Sequence, residues 1–564
     1  MNLSRISSRS FLAAAILLAA FSAYSQNRTD FDRAQTFDAQ HYTIRVSFDR
    51  AQEKVFGDTT VSLKPLKADF RTVELDAVGL AFEKVTLDNT AIELTHKTVG
   101  GKVIVTLDRA YGPDETVAIR FKYSAMPKKG IYFVPSNEAE NGHSAQVWTQ
   151  GEPDEARHWF PSFDFPSDKA TTEEYITADK GETVIGNGEF LGKEATADGK
   201  EKWHFKMPVP HSTYLVSFII GKYVRIDDKY NEIPLGSYVY PGRETTAKNA
   251  FGPTKDMLAV YENITGVSYP YNKYDQTIVA RFQFGGMENI TATTMADSEI
   301  FFGDFEFGKS IVTDLVSHEL AHSWFGNLVT CRNWAELWLN EGFATYMEAV
   351  YRENKNGRDD YIRKVQIDAD EFLAHDASTN RRHGLYNLRA DEVDKLFDTA
   401  AVTYNKGGVV LHMLREQVGT ENFWKAINAY LNKHKFATVG SEDLKDAMES
   451  ASGQDLEWFF DQWVYHSGAP RLSVTSKYSA AKKTVIVTVA QIQKADDLVP
   501  AAFRLPLEFE VDTPSGNVNK EIEVTKRIET FTLKVRSKPT LVKLVPDFKT
   551  PAKTIKIAKI VYAK

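Results

Sequence analysis

The apolar residues of this 564-residue chain change their spacing twice, and those two changes dictate a multidomain α+β fold. From His41 to about Lys222 the spacing is close to two, as in Tyr42-Thr43-Ile44-Arg45-Val46-Ser47-Phe48 and Lys102-Val103-Ile104-Val105-Thr106-Leu107, with Gly and Asp/Asn breaks between runs. This predicts an N-terminal antiparallel β domain. From about Tyr261 to His466 helical periods take over, in Ile311 to Phe325, Glu341 to Arg352, Asp359 to Phe372, Ala400 to Val418 and Glu421 to His434. After Gly468-Ala469-Pro470 the alternation returns, in Thr484 to Val489, Leu507 to Val511 and Thr554 to Ile557, as a closing β-sandwich requires. The expected units are therefore 26–225, a β domain; 226–467, largely helical; and 468–564, a C-terminal β-sandwich.

The first 25 residues stand apart. Arg5 and Arg9 precede an apolar run from Phe11 to Phe21 and then Ser22-Ala23-Tyr24-Ser25, the three-part layout of a secretory signal peptide over 1–25. No later stretch reaches 18 apolar residues, so the mature chain is expected to be secreted or periplasmic, with no stable membrane insertion. One cysteine, Cys331, excludes an intramolecular disulfide and a four-thiolate zinc knot, and it reads as a buried, inert thiol. A net charge of -8 argues against nucleic acid as a partner and tolerates a cationic ligand. Metal chemistry, if present, falls to histidines and carboxylates.

Ser310 to Asn327 has helical apolar spacing and contains His318-Glu319-Leu320-Ala321-His322. Two histidines four apart lie about one turn apart on one face, a spacing that lets both imidazoles meet one zinc. Glu319, one position on, is expected to face the open coordination position, where a carboxylate can act as general base. Catalytic zinc takes three protein ligands. Glu341, eighteen residues after His322 at the start of a second amphipathic helix, is the candidate third ligand, although a glutamate there also serves as a macrodipole partner. Glu348, two turns further on, either orients a ligating histidine or lies on the surface.

These residues resemble the zinc aminopeptidases of the aminopeptidase N family, gluzincins that include leukotriene hydrolase. The resemblance rests on the His318-to-His322 motif with Glu341 at the family spacing, Trp338-Leu339-Asn340-Glu341-Gly342, Gly285-Gly286-Met287-Glu288-Asn289, and Tyr404 in Thr403-Tyr404-Asn405-Lys406-Gly407-Gly408. It covers most of residues 40–470. It implies a thermolysin-like catalytic domain, one zinc per chain on His318, His322 and Glu341, Glu319 as base, and Tyr404 as donor to the developing oxyanion. It further implies that Glu288 and Glu152 hold the substrate's free amine. The resemblance also implies that Gln150 lines the first side-chain subsite and that the Gly285-to-Asn289 loop lies along the peptide. That loop follows Thr277 to Phe284, which reads as an edge strand able to pair with an extended peptide. The long helical C-terminal domain of larger members is expected to be absent.

The expected function is a secreted zinc aminopeptidase acting on peptides with a free N-terminal amine. Glu152 favours this over a leukotriene-hydrolase-like epoxide hydrolase, whose relatives lack that glutamate, whereas the Gly285-Gly286 pair is shared with that enzyme. Two carboxylates at the cleft argue against an endopeptidase, because a mid-chain segment leaves them unpaired. A catalytically silent binding scaffold is expected to carry a broken motif, and none is seen.

Overall fold

The computed structural model describes residues 30–137, 142–544 and 559–562. The predicted signal segment and the stretch Thr554 to Ile557 lie outside them. Among the described residues no helix is long and apolar enough to cross a membrane.

The alternation near the N-terminus becomes a seven-stranded sheet. Its strands run in the order Glu189–Ala195, Glu201–His211, Ala170–Ala178, Phe37–Asp49, Lys54–Pro65, Val117–Ala125, Ala81–Leu87. Tyr42, Ile44, Val46 and Phe48 point into one core, as a period of two demands. The expectation of a purely antiparallel domain is corrected at one pair. Phe37–Asp49 and Ala170–Ala178 run parallel, with His41 opposite Thr171. Parallel neighbours need a long crossover, and here the intervening chain supplies it by building other strands first, including the three-stranded sheet of Phe70–Asp76, Lys102–Tyr111 and Thr95–Val99.

The middle unit opens with a five-stranded sheet ordered Val224–Tyr230, Ile233–Val239, Tyr274–Val279, Ala292–Ala296, Gly286–Met287. Its first strand straddles the boundary expected at 225/226. The edge strand expected over Thr277 to Phe284 is also corrected. Tyr274–Val279 is flanked on both sides by parallel neighbours, and the chain turns away at Arg281, whose φ is 61°. The edge on the cleft side is Gly286–Met287, antiparallel to Ala292–Ala296, and the opposite edge is Val224–Tyr230.

Among the described residues the helices of eight residues or more are α1 (Glu244–Phe251), α2 (Thr254–Thr265), α3 (Lys309–Ala321), α4 (Trp338–Asn356), α5 (Arg358–Ser378), α6 (Gly407–Val418), α7 (Thr420–Lys433) and α8 (Ser441–Ser452). α4 is buried without a break from Trp338 to Tyr351, which makes it the central rod of this unit. Immediately before α6, Val402–Lys406 forms a π-helical turn rather than the regular helix predicted from Ala400. Backbones touch where α4 meets α6, since a Cβ on Gly342 would stand 2.9 Å from the Gly407 Cα.

Beyond residue 470 the strands form two sheets. One is ordered Ile528–Lys534, Thr484–Gln491, Arg471–Ser479, Lys559–Tyr562, and the other Val518–Val524, Leu505–Asp512, Leu541–Leu544. Val485, Val487 and Val489 of the first and Leu507, Phe509 and Val511 of the second share one buried cluster with the helical unit.

Candidate active site

α3 carries His318 in its last turn, and His322 follows at its C-cap with helical backbone (φ -57°, ψ -23°). Each ring is steered through Nδ1. His318 Nδ1 lies 2.8 Å from Glu348 Oε1, and His322 Nδ1 donates to the Phe325 carbonyl at 2.9 Å. Both Nε2 atoms then face Glu341 Oε2 from α4, at 3.3 and 3.4 Å. The three ligand atoms lie within 4.8 Å of one another and are buried. Four tetrahedral bonds of about 2.1 Å set neighbouring ligand atoms about 3.4 Å apart, so the trio fits an ion that keeps one position open. Burial opposes ionisation of Glu341, yet the imidazoles of His322 and His318 hold its pKa below the ordinary carboxylate value.

Glu348 takes the orienting role and not the surface one. It is buried and also accepts from Lys364 Nζ at 2.9 Å. Lys364 is held in turn by both oxygens of Asp368, at 2.7 and 2.9 Å. Asn405, beside Tyr404, donates to Asp368 Oδ1 at 3.0 Å. This chain from ligand to π turn was missed in the sequence. Its one local signal is a Lys–Asp pair at i,i+4 on α5, a spacing that usually marks a solvated helix face.

Glu319 is buried beneath the sheet edge, and its Oε2 has no hydrogen-bond partner. Burial, together with Glu288 and Glu341, pushes its pKa up to about 8 against the two imidazoles, which suits a carboxylate that must take up a proton near neutral pH. Gly286 passes so close that a Cβ there would stand 2.3 Å from Glu319 Oε1. A side chain at 286 would require the Glu319 side chain to shift. Tyr404 stacks on His318 at 5.9 Å with an interplanar angle of 11°. Burial and the carboxylates of Glu341, Glu152 and Glu288 raise its hydroxyl well above the ordinary value, so it remains a protonated donor.

The predicted amine anchors come from two domains and converge. Oxygens of Glu152, Glu288 and Glu341 lie within 4.8 Å of one another, and Glu288 Oε1 is 3.8 Å from His322 Nδ1. Glu152 Oε1, Glu288 Oε1 and Gln150 Oε1 are buried without a hydrogen-bond partner. Burial, followed by the mutual repulsion of these carboxylates, raises the pKa of Glu152 well above the usual range. Gln150 donates from Nε2 to the Glu152 carbonyl and lies 3.2 Å from Met287 Sδ. Asn289 is placed differently, for its side chain turns into the fold and donates to Thr294 Oγ1.

A cleft of about 790 Å³ runs over Gly285, Gly286, Met287, the metal trio, Glu319 and Tyr404. A smaller chamber of about 310 Å³, walled by Tyr132, Trp148, Gln150, Phe284 and Phe397, shares Glu152 with it. The turn after α3 is braced from the N-terminal unit. Lys169 Nζ donates to the carbonyls of Asn327 and Leu328, while Asn327 Nδ2 donates to the Glu288 carbonyl at 2.8 Å.

Residues 249–463 match the peptidase family M1 domain, and residues 38–215 match the peptidase M1 N-terminal domain, so the two matches cover more than half of the chain. "Aminopeptidase 2, mitochondrial" of Saccharomyces cerevisiae is 35% identical over 58% of this chain and 35% of its own length. The "Glutamyl aminopeptidase" of Bitis rhinoceros is 30% identical over 86% of this chain and 52% of its own, and that of Homo sapiens 31% over 63% and 38%. The chain thus spans about half the length of these relatives or less. With matching models for both its N-terminal and its metal-site domain, the chain belongs to peptidase family M1.

Proposed function

We propose that the protein is a zinc aminopeptidase that removes single residues from the N-terminus of peptides. The observation that carries this reading is the set of partnerless buried carboxylate oxygens on Glu152 and Glu288 beside the metal trio. Desolvated acceptors at one end of a cleft call for a cation, and a protonated α-amino group is a compact one. Held there, the first peptide bond of a substrate lies over the trio and no other bond does.

His318, His322 and Glu341 would hold a zinc ion, which would supply Lewis acidity to the scissile carbonyl and to the attacking water. Glu319 takes the proton as the water oxygen bonds to the carbonyl carbon. It then passes that proton to the departing amide nitrogen as the C–N bond breaks. Tyr404 donates its hydroxyl hydrogen to the carbonyl oxygen while negative charge grows there. Glu348 keeps the His318 ring in the required tautomer, with Lys364 fixing Glu348. The chamber walled by Tyr132, Trp148 and Phe397 receives the first side chain. Residues 1–25 fit export of the chain to the periplasm or beyond.

The test is Glu319→Gln, which keeps the shape of the base and removes its proton affinity. Turnover of alanyl anilide is expected to fall by about a thousandfold, with one zinc per chain retained by elemental analysis. Activity within tenfold of wild type would remove Glu319 from the chemistry.

A further inference from the structure

The face of α3 that carries the base does not stop at the cleft. Phe307, Ile311, Leu315 and Glu319 are spaced four apart, so they align along one side of a helix. The single turn Glu306–Gly308 joins α3 through helical backbone at Gly308 and Lys309, and the stripe therefore continues through Phe307. Leu315 and Ile311 line the cleft, and Gly285 at the sheet edge comes within reach of Leu315. Further out the stripe opens to solvent, with Ile311 55% and Phe307 69% exposed. Phe305 stacks on Phe307 at 5.6 Å, and the exposed Ile367 of α5 lines the same cleft. An apolar patch of this kind, continuous with a polar reaction centre, marks a binding surface.

The direction of the substrate fixes the occupant. Its amine carboxylates gather at the His322 end of α3, so the remainder of an extended peptide leaves over Glu319 toward the helix N-terminus, alongside Gly286 and Gly285. At 1.5 Å per helical residue, Ile311 lies about 12 Å and Phe307 about 18 Å beyond Glu319. An extended chain rises about 3.3 Å per residue, so it reaches them after about four and about five to six residues.

We propose that Ile311 and Phe307, faced by Ile367 and reached past Leu315, form an extended site for apolar side chains four to six residues beyond the cleaved bond. The inference rests on the aminopeptidase reading and names a substrate class for it: peptides of seven or more residues with an apolar stretch at positions five to seven.

Octapeptides that begin Ala-Ala-Ala-Ala and carry either Leu or Ser at positions five to seven test it, with kcat/KM read from release of free alanine. Wild type is expected to favour the Leu series by about tenfold, mainly through KM, and the ratio is expected to fall toward one in Ile311→Ser and in Phe307→Ser. A ratio of one in wild type overturns the proposal whether or not the variants fold, and so does a ratio unchanged in both variants. Alanyl anilide ends before the stripe and separates the two readings. Cleavage of the anilide with a flat peptide ratio removes the stripe alone, while no cleavage of either removes both. A flat ratio together with sedimentation that changes with concentration, and is reset by Phe307→Ser, assigns the stripe to contact between copies and overturns the peptide assignment.

Discussion

At the scale of single residues, the fold spends its buried histidines in two ways. His318 and His322 are buried with Nδ1 engaged and Nε2 turned to Glu341. His211 is buried for packing, bonded to the Val209 carbonyl and Thr172, and burial lowers its pKa to about 4. A histidine held neutral in the fold but free to protonate near 6.5 when unfolded adds stability that is complete above pH 6.5. That stability is lost as the pH falls toward 4, amounting to about 3 kcal/mol. Thermal melts are therefore expected to decline between pH 6.5 and 4, with a shallower decline in His211→Gln. Equal slopes in the two proteins would contradict the assignment. The same scale separates what the sequence made legible from what it hid. His318, Glu319 and His322 were readable because their geometry is local to one helix turn. Lys364 and Asp368 were not, because their contact with Glu348 exists only once α5 packs on α4.

At the scale of elements, the position of Tyr404 against the metal trio depends on how closely two helices approach. Gly342 follows Glu341 of the trio, and Gly407 follows Tyr404 by three positions. Each glycine sits where a Cβ would meet the other backbone, at 2.9 and 2.7 Å. Gly407→Ala must push α6 and its π turn away from α4. We expect a loss of about 1–3 kcal/mol in stability and at least a tenfold fall in kcat, with zinc content unchanged. Wild-type kcat in that variant would show that the crossing does not set the Tyr404 position. Helices α3 to α7 were legible from their apolar period, whereas α1, α2 and α8 were not read from it. The π turn was not, because one extra residue per turn leaves hydrophobic spacing almost untouched and owes its existence to that crossing. The sheet edge was misread for a related reason: Thr277 to Phe284 has a strand's composition, but its neighbours come from segments before and after it, and the edges fall to Gly286–Met287 and Val224–Tyr230.

At the scale of the whole molecule, the site is a joint product of two units. Glu152 and Gln150 come from the N-terminal unit, and Lys169 of the same unit braces the turn that supports Glu288. The order of units could be read from the two changes of apolar period, but that brace and the parallel strand pair depend on contacts more than 100 residues apart, which periodicity does not report. Glu152, Glu288, Glu319 and Glu341 are all buried around two imidazoles, an arrangement that a divalent cation relieves. Removing zinc with a chelator is expected to lower the melting temperature by about 5–15 °C, with recovery on adding zinc back. Superimposable melts before and after chelation would mean that the trio does not hold a metal that matters to the fold.

The central claim is that the cleft counts from a free amine, and one pair of substrates tests it most directly. The quantity to measure is kcat/KM for alanyl anilide against its N-acetylated counterpart, using zinc-loaded protein. Acetylation removes the charge that Glu152 and Glu288 await and leaves two buried carboxylates unpaired, so the account predicts a loss of about a thousandfold or more. Equal cleavage of the two compounds would contradict it.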